Sequence, residues 1–217
     1  MVHLKHELVL HDFRNYMKQS GKLAIAARQW IIPSNSLVRP RFTPLHRNIL
    51  IELAFLRSYL AWERFLEEAF ILFLIGKKPR RRRRPPRCFV TPKSRQHAFQ
   101  LILPETGRSY IDWDNPEIVR IRAKRFFANG EPFESALTSH LYLFQEIQVI
   151  RNAIAHRSLT SEEKFHRLVR DKLTYLPANV SVGSFLETTM TGINPPITYL
   201  DYYLDGISRT AELIVPL

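Results

Sequence analysis

Cysteine is almost missing from this chain: Cys88 is the only one. That excludes an internal disulfide framework and any zinc site built on several thiolates, and it fits a reducing compartment. Glycine is scarce as well. Seven glycines in 217 residues argue against a loop-rich all-β architecture. Gly-rich phosphate loops and nucleophile-elbow patterns do not occur. Long hydrophobic runs are lacking too. The most apolar stretch, residues 65–75, is too short to span a bilayer, and Arg57, Glu63, Arg64, Glu67 and Glu68 interrupt its extension. The first residues, Met1 to Glu7, have no signal-peptide core, so the expected location is cytoplasmic, with no membrane partner. His3, His6 and His11 fall on two faces of a helical stretch without a carboxylate triad, so neither a metal site nor a cofactor is expected.

What is present is a foldable, basic chain. A hydrophobic share of 45% with fourteen Phe and three Trp signals a packed core, and the length suits a single domain over 1–217. The formal charge of +12 is concentrated rather than spread. Residues 77–95 hold ten Lys or Arg and no acid, and removing those ten leaves +2 for all the rest. Pro79, Pro85, Pro86 and Pro92 keep that segment out of a helix, which makes it an extended basic loop. Arg80, Arg81, Arg82, Arg83, Arg84 and Arg87 are its candidate RNA-binding residues, through salt-sensitive phosphate contacts that carry no base specificity. A solvated insertion, or a tether for an acidic protein, fits the same composition.

Elsewhere the pattern is helical. Apolar spacing predicts a helix over 4–31, then a linker around Pro33 and Ser34-Asn35-Ser36. Thr43-Pro44 starts a helix of about 32 residues, stopped by Gly76 and Pro79. Residues 96–113 read either as two short strands around Pro104-Glu105-Thr106-Gly107 or as a helix fragment and a loop. Further helices are expected over 116–128, from about Phe133 to His156, from Thr160 to about Leu176, and over 198–214, with 177–197 as linker. The fold class expected is all-α: an up-and-down bundle of about five helices. A basic insertion over 77–115, able to contain a β-hairpin, separates the long helix from the helix ending at His156.

That last helix carries the chemistry. Arg151-Asn152-Ala153-Ile154-Ala155-His156 sets a guanidinium and an imidazole five residues apart, about 140° around an ideal helix. They flank an arc holding Gln148, Asn152 and Ala155, while Leu143, Ile147, Ile150 and Ile154 gather on another face. A groove bounded by Arg and His suits a phosphodiester: paired donors for phosphate oxygens beside a group that moves protons near neutral pH. Taken singly, Arg151 and His156 also read as cations favoured at a helix C-terminus.

The Arg-x4-His stretch, followed by Arg157-Ser158, resembles the signature of the HEPN superfamily in its stand-alone prokaryotic branch. So do Tyr59-Leu60-Ala61-Trp62-Glu63-Arg64-Phe65-Leu66-Glu67 in the preceding long helix, and Asp112-Trp113-Asp114-Asn115-Pro116 with Arg122-Ala123-Lys124-Arg125-Phe126-Phe127. The resemblance covers roughly residues 45–160. It implies metal-independent endoribonuclease activity by transesterification from the ribose 2′-hydroxyl, at a composite cleft of a homodimer, in a toxin or anti-phage effector with an antitoxin protein as partner. On that resemblance His156 moves the proton and Arg151 stabilises phosphoryl charge. Asn152 orients the phosphate or Arg151, or else caps a turn. Arg157 and Ser158 contact phosphate, or are surface groups. Glu63 lies beside an apolar stripe and is a candidate partner for Arg151 or His156, or a solvated edge residue. The alternative is a non-catalytic HEPN module that binds RNA or a nucleotide and scaffolds a partner protein.

Overall fold

The computed structural model describes residues 5–29, 42–82, 84–103, 111–156 and 158–216. Among them every regular element is helical. The order is α1 (His6–Gln29), α2 (Pro44–Leu74), α3 (Arg95–Ile102), α4 (Pro116–Phe126), α5 (Phe133–Ser139), α6 (Leu141–Ala155), α7 (Leu159–Leu173), α8 (Val182–Leu186) and α9 (Tyr199–Ile214). The all-α class is as expected, and the bundle of about five helices is corrected to nine among the described residues. No helix there is long and apolar enough to cross a membrane.

Local chemistry explains the differences. Residues 98–102 belong to α3 rather than to a strand, because Ser94 caps that helix by accepting from the His97 N–H at 3.1 Å. Residues 104–110, the expected turn of a hairpin, lie outside the described residues, and 111–113 form no strand. Strand-like pairing among the described residues is limited to two isolated bridges, Cys88 with Phe127 and Thr189 with Thr198. The helix expected from Phe133 to His156 is broken at His140, whose backbone leaves the helical region (φ −123°, ψ 23°). Ser139 Oγ donates to the Ala136 carbonyl at 2.9 Å, and His140 Nδ1 lies 3.2 Å from Thr210 Oγ1. Side chains that bond locally to backbone in this way compete with helix continuation. Helix α8 rises inside the expected linker on a reciprocal capping box between Ser181 and Ser184.

The long helix ends as its sequence dictates. Gly76 takes φ +76°; its N–H bonds to the Phe73 carbonyl and that of Lys77 to the Leu72 carbonyl, the paired bonds of a Schellman stop.

The chain forms two compact units whose boundaries fall within α1, α2, α6 and α9. Unit 1 comprises residues 1–15, 61–145 and 206–217, and unit 2 comprises 16–60 and 146–205. In unit 1, Phe70 packs against Trp113, Phe127 and Phe133 at ring-centroid distances of 5.3, 4.8 and 5.0 Å. In unit 2, Phe185 stacks on Tyr199 at 4.6 Å, and the buried Tyr203 donates its hydroxyl to Glu146 Oε2 at 3.0 Å. Lys172 Nζ closes that network on Glu146 at 2.6 Å. Burial, reinforced by the Glu146 charge, raises the Tyr203 phenol above its ordinary value.

Candidate functional site

Helix α6 ends in unit 2 at Ala155, and His156 lies one residue beyond it. Ile147 and Ile150 are fully buried and fix the orientation of the helix. Arg151 and Asn152 are half-buried, and His156 is exposed.

Contrary to the divergence that an ideal helix predicts, the two candidate side chains meet. Arg151 Nη1 stands 3.3 Å from His156 Nε2 and donates to Asn152 Oδ1 at 3.0 Å. The helix stops before the imidazole, which frees that side chain to turn back towards Arg151. A guanidinium has only donors, so a hydrogen bond here requires the tautomer in which Nε2 carries the lone pair.

Tyr59 of α2 completes the arrangement. Its ring is 1% exposed, and the Arg151 guanidinium carbon lies 5.8 Å from the ring centroid. This cation–π contact restricts a side chain that would otherwise sample many rotamers. In the sequence Tyr59 stands out only as part of the long-helix stretch that carries the resemblance, with no sign that it packs on Arg151.

Other expected residues are placed as follows. Ser158 caps α7, its Oγ accepting from the Ser161 N–H at 3.3 Å. Arg157 lies outside the described residues. Glu63 is half-buried on the part of α2 that belongs to unit 1, whereas Arg151 and His156 belong to unit 2.

The basic segment also belongs to unit 1 and is anchored there. The Arg87 carbonyl accepts from Ala128 N–H at 2.9 Å, and Phe89 N–H donates to the Phe126 carbonyl at 3.0 Å. Arg80, Arg81, Arg84 and Arg87 are exposed. Arg82 is half-buried, with its guanidinium carbon 5.8 Å from the Phe73 centroid, and burial lowers its pKa from the ordinary arginine value. Arg83 lies outside the described residues. Of His3, His6 and His11, His6 is buried, His11 is exposed and His3 lies outside the described residues. Among the described residues no group of three or more His, Cys, Asp or Glu is placed to share a metal ion.

No protein-family model, curated protein or solved structure matches this chain.

Proposed function

We propose that the protein is a metal-independent endoribonuclease of HEPN type, in which His156 and Arg151 act on one phosphodiester. The observation that carries this reading is the 3.3 Å approach of Arg151 Nη1 to His156 Nε2 at an exposed helix end. An incoming phosphate competes for the guanidinium. As Arg151 turns to the phosphoryl oxygens, His156 Nε2 becomes free to take the proton of the ribose 2′-hydroxyl. The 2′-oxygen then bonds to phosphorus and the P–O5′ bond breaks, leaving a 2′,3′-cyclic phosphate and a 5′-hydroxyl. The leaving oxygen needs a proton, and a second copy's imidazole at a composite homodimer cleft would supply it. Asn152 fixes the guanidinium in the resting arrangement. The exposed arginines of residues 77–95 add affinity for the RNA backbone without reading bases. A cytoplasmic toxin or anti-phage effector restrained by an antitoxin protein is the setting this chemistry suits.

The test is incubation of total RNA with the wild-type and His156→Ala proteins in EDTA, followed by end mapping. The wild type should leave 2′,3′-cyclic ends, and the variant should cut at least about 10²-fold more slowly while remaining folded. RNA bound by both proteins and cut by neither would favour the non-catalytic binding module.

A further inference from the structure

In unit 2, α2 carries a row of large apolar side chains open to solvent: Leu45 (66% exposed), Ile49 (41%), Leu53 (48%) and Leu60 (54%). Their spacing puts them within about 80° of one another around the helix, along roughly 22 Å of its axis. Exposed leucines scattered singly are ordinary. An aligned row of them marks an interaction surface.

A second observation says what kind of partner fits. Leu45 and Ile49 also line a cavity of about 330 Å³, together with Ile154 of α6 and Phe165 of α7. Its charged lining is Glu52 and Glu162 beside His166, with no Lys or Arg. Glu52 Oε1 accepts from the Gly183 N–H at 2.9 Å, and Glu162 Oε1 is 3.9 Å from His166 Nε2. The Asn48 amide donates to Ser181 Oγ at 3.1 Å, while its Oδ1 is buried without a partner. The cavity thus presents two carboxylates and one partnerless acceptor, a lining suited to a donor or a cation.

We propose that this face docks a basic amphipathic helix of a second protein. Apolar side chains of that helix lie along Leu45, Ile49, Leu53 and Leu60, and a Lys or Arg enters the Glu52–Glu162 cavity. Apolar anchors repeating with the helical turn are the mode by which a helix lies in a groove. The carboxylates select its charge. RNA is disfavoured here, since its phosphates would meet two carboxylates. A second copy is disfavoured as well, because a two-fold contact along this row brings each Glu52 towards its mate. The inference is independent of whether Arg151 and His156 cut RNA.

The test uses the full chain and labelled peptides of about 18 residues, roughly five helical turns. One contains Leu and Lys with Leu at helical spacing, the second the same composition in strict alternation, and the third the first pattern with Glu for Lys. Fluorescence anisotropy should show binding of the first peptide only. Leu53→Asp should weaken it at least about tenfold. The double change Glu52→Gln with Glu162→Gln should weaken it about three- to tenfold and reduce its salt dependence. Circular dichroism identical to wild type shows that both variants are folded. The proposal is overturned if no peptide binds, if the acidic or alternating peptide binds equally well, or if neither variant matters. It is overturned too if sedimentation shows the free protein to be a dimer that Leu53→Asp dissociates, which would assign the row to a second copy.

Discussion

His6 is 1% exposed, with Nε2 3.3 Å from the Lys77 carbonyl oxygen and its ring centroid 4.1 Å from that of Phe73. Burial is the main reason its pKa falls from 6.5 to about 4; the bond to Lys77 and the charge of Glu7 oppose this, and Arg82 adds to it. Above pH 6.5 the imidazole is neutral whether the chain is folded or not. As the pH falls from there, the unfolded chain takes up the proton first, so stability is lost progressively down to about pH 4. The full loss is about 3 kcal/mol. Replacing His6 by Phe keeps a ring against Phe73 and removes the titration. Urea midpoints measured between pH 4.5 and 7.5 should slope for the wild type and flatten for His6→Phe; equal slopes would contradict this account. Glu134 titrates in a lower window. Hydrogen bonding from Arg120 is the largest cause holding its carboxyl at about 2, so its contribution is intact above pH 4.5 and fades towards pH 2.

Helix ends set by local chemistry were readable before any packing was known. Thr43-Pro44 opens α2 and Gly76 closes it, Asn115 caps α4 with Pro116 in its first turn, and Asn129 and Gly130 both take positive φ just after that helix. What escaped the sequence depends on distant partners or on side chains that bond backbone locally. The break at His140 goes with its approach to Thr210, seventy residues away, and α8 owes its position to neighbours on α2. The candidate site was legible in its residue types and not in its geometry. An ideal helix sends Arg151 and His156 apart, whereas the end of α6 at Ala155 lets them meet.

Packing of α8 against α2 also yields a prediction at the level of elements. A Cβ on Gly183 would lie 2.4 Å from the Asn48 backbone oxygen, and backbone cannot swing aside as a flexible side chain can. Gly183→Ala should therefore lower stability by about 2–3 kcal/mol, read as a fall in thermal midpoint. Gly21→Ala meets nothing within 4 Å in the middle of α1 and should be neutral or stabilising.

Across the whole molecule, charge is the dominant asymmetry. Arg81, Arg84 and Arg87 are exposed, while Arg82 is half-buried near Phe73. If the segment holds a single RNA strand, changing those three exposed arginines to Gln should reduce the slope of log affinity against log salt by about 2. Arg82→Gln should leave the slope unchanged. Filter binding from 50 to 200 mM salt, about the range over which such contacts weaken, reads both outcomes.

The packing of Phe70 against Phe127 and Phe133, on the far side of the basic segment in sequence, has a consequence for how the protein survives a protease. Trypsin finds its preferred residues crowded together here, with Arg80 and Arg81 exposed and no proline following either. A cut at Arg81 parts the polypeptide into two pieces. Residues 87 and 89 stay bonded to the end of α4 within the downstream piece, and what holds the two pieces together is Phe70 of the upstream one, packed against Phe127 and Phe133 of the other. Such clipped material should show two bands on a denaturing gel and elute from a sizing column as one particle.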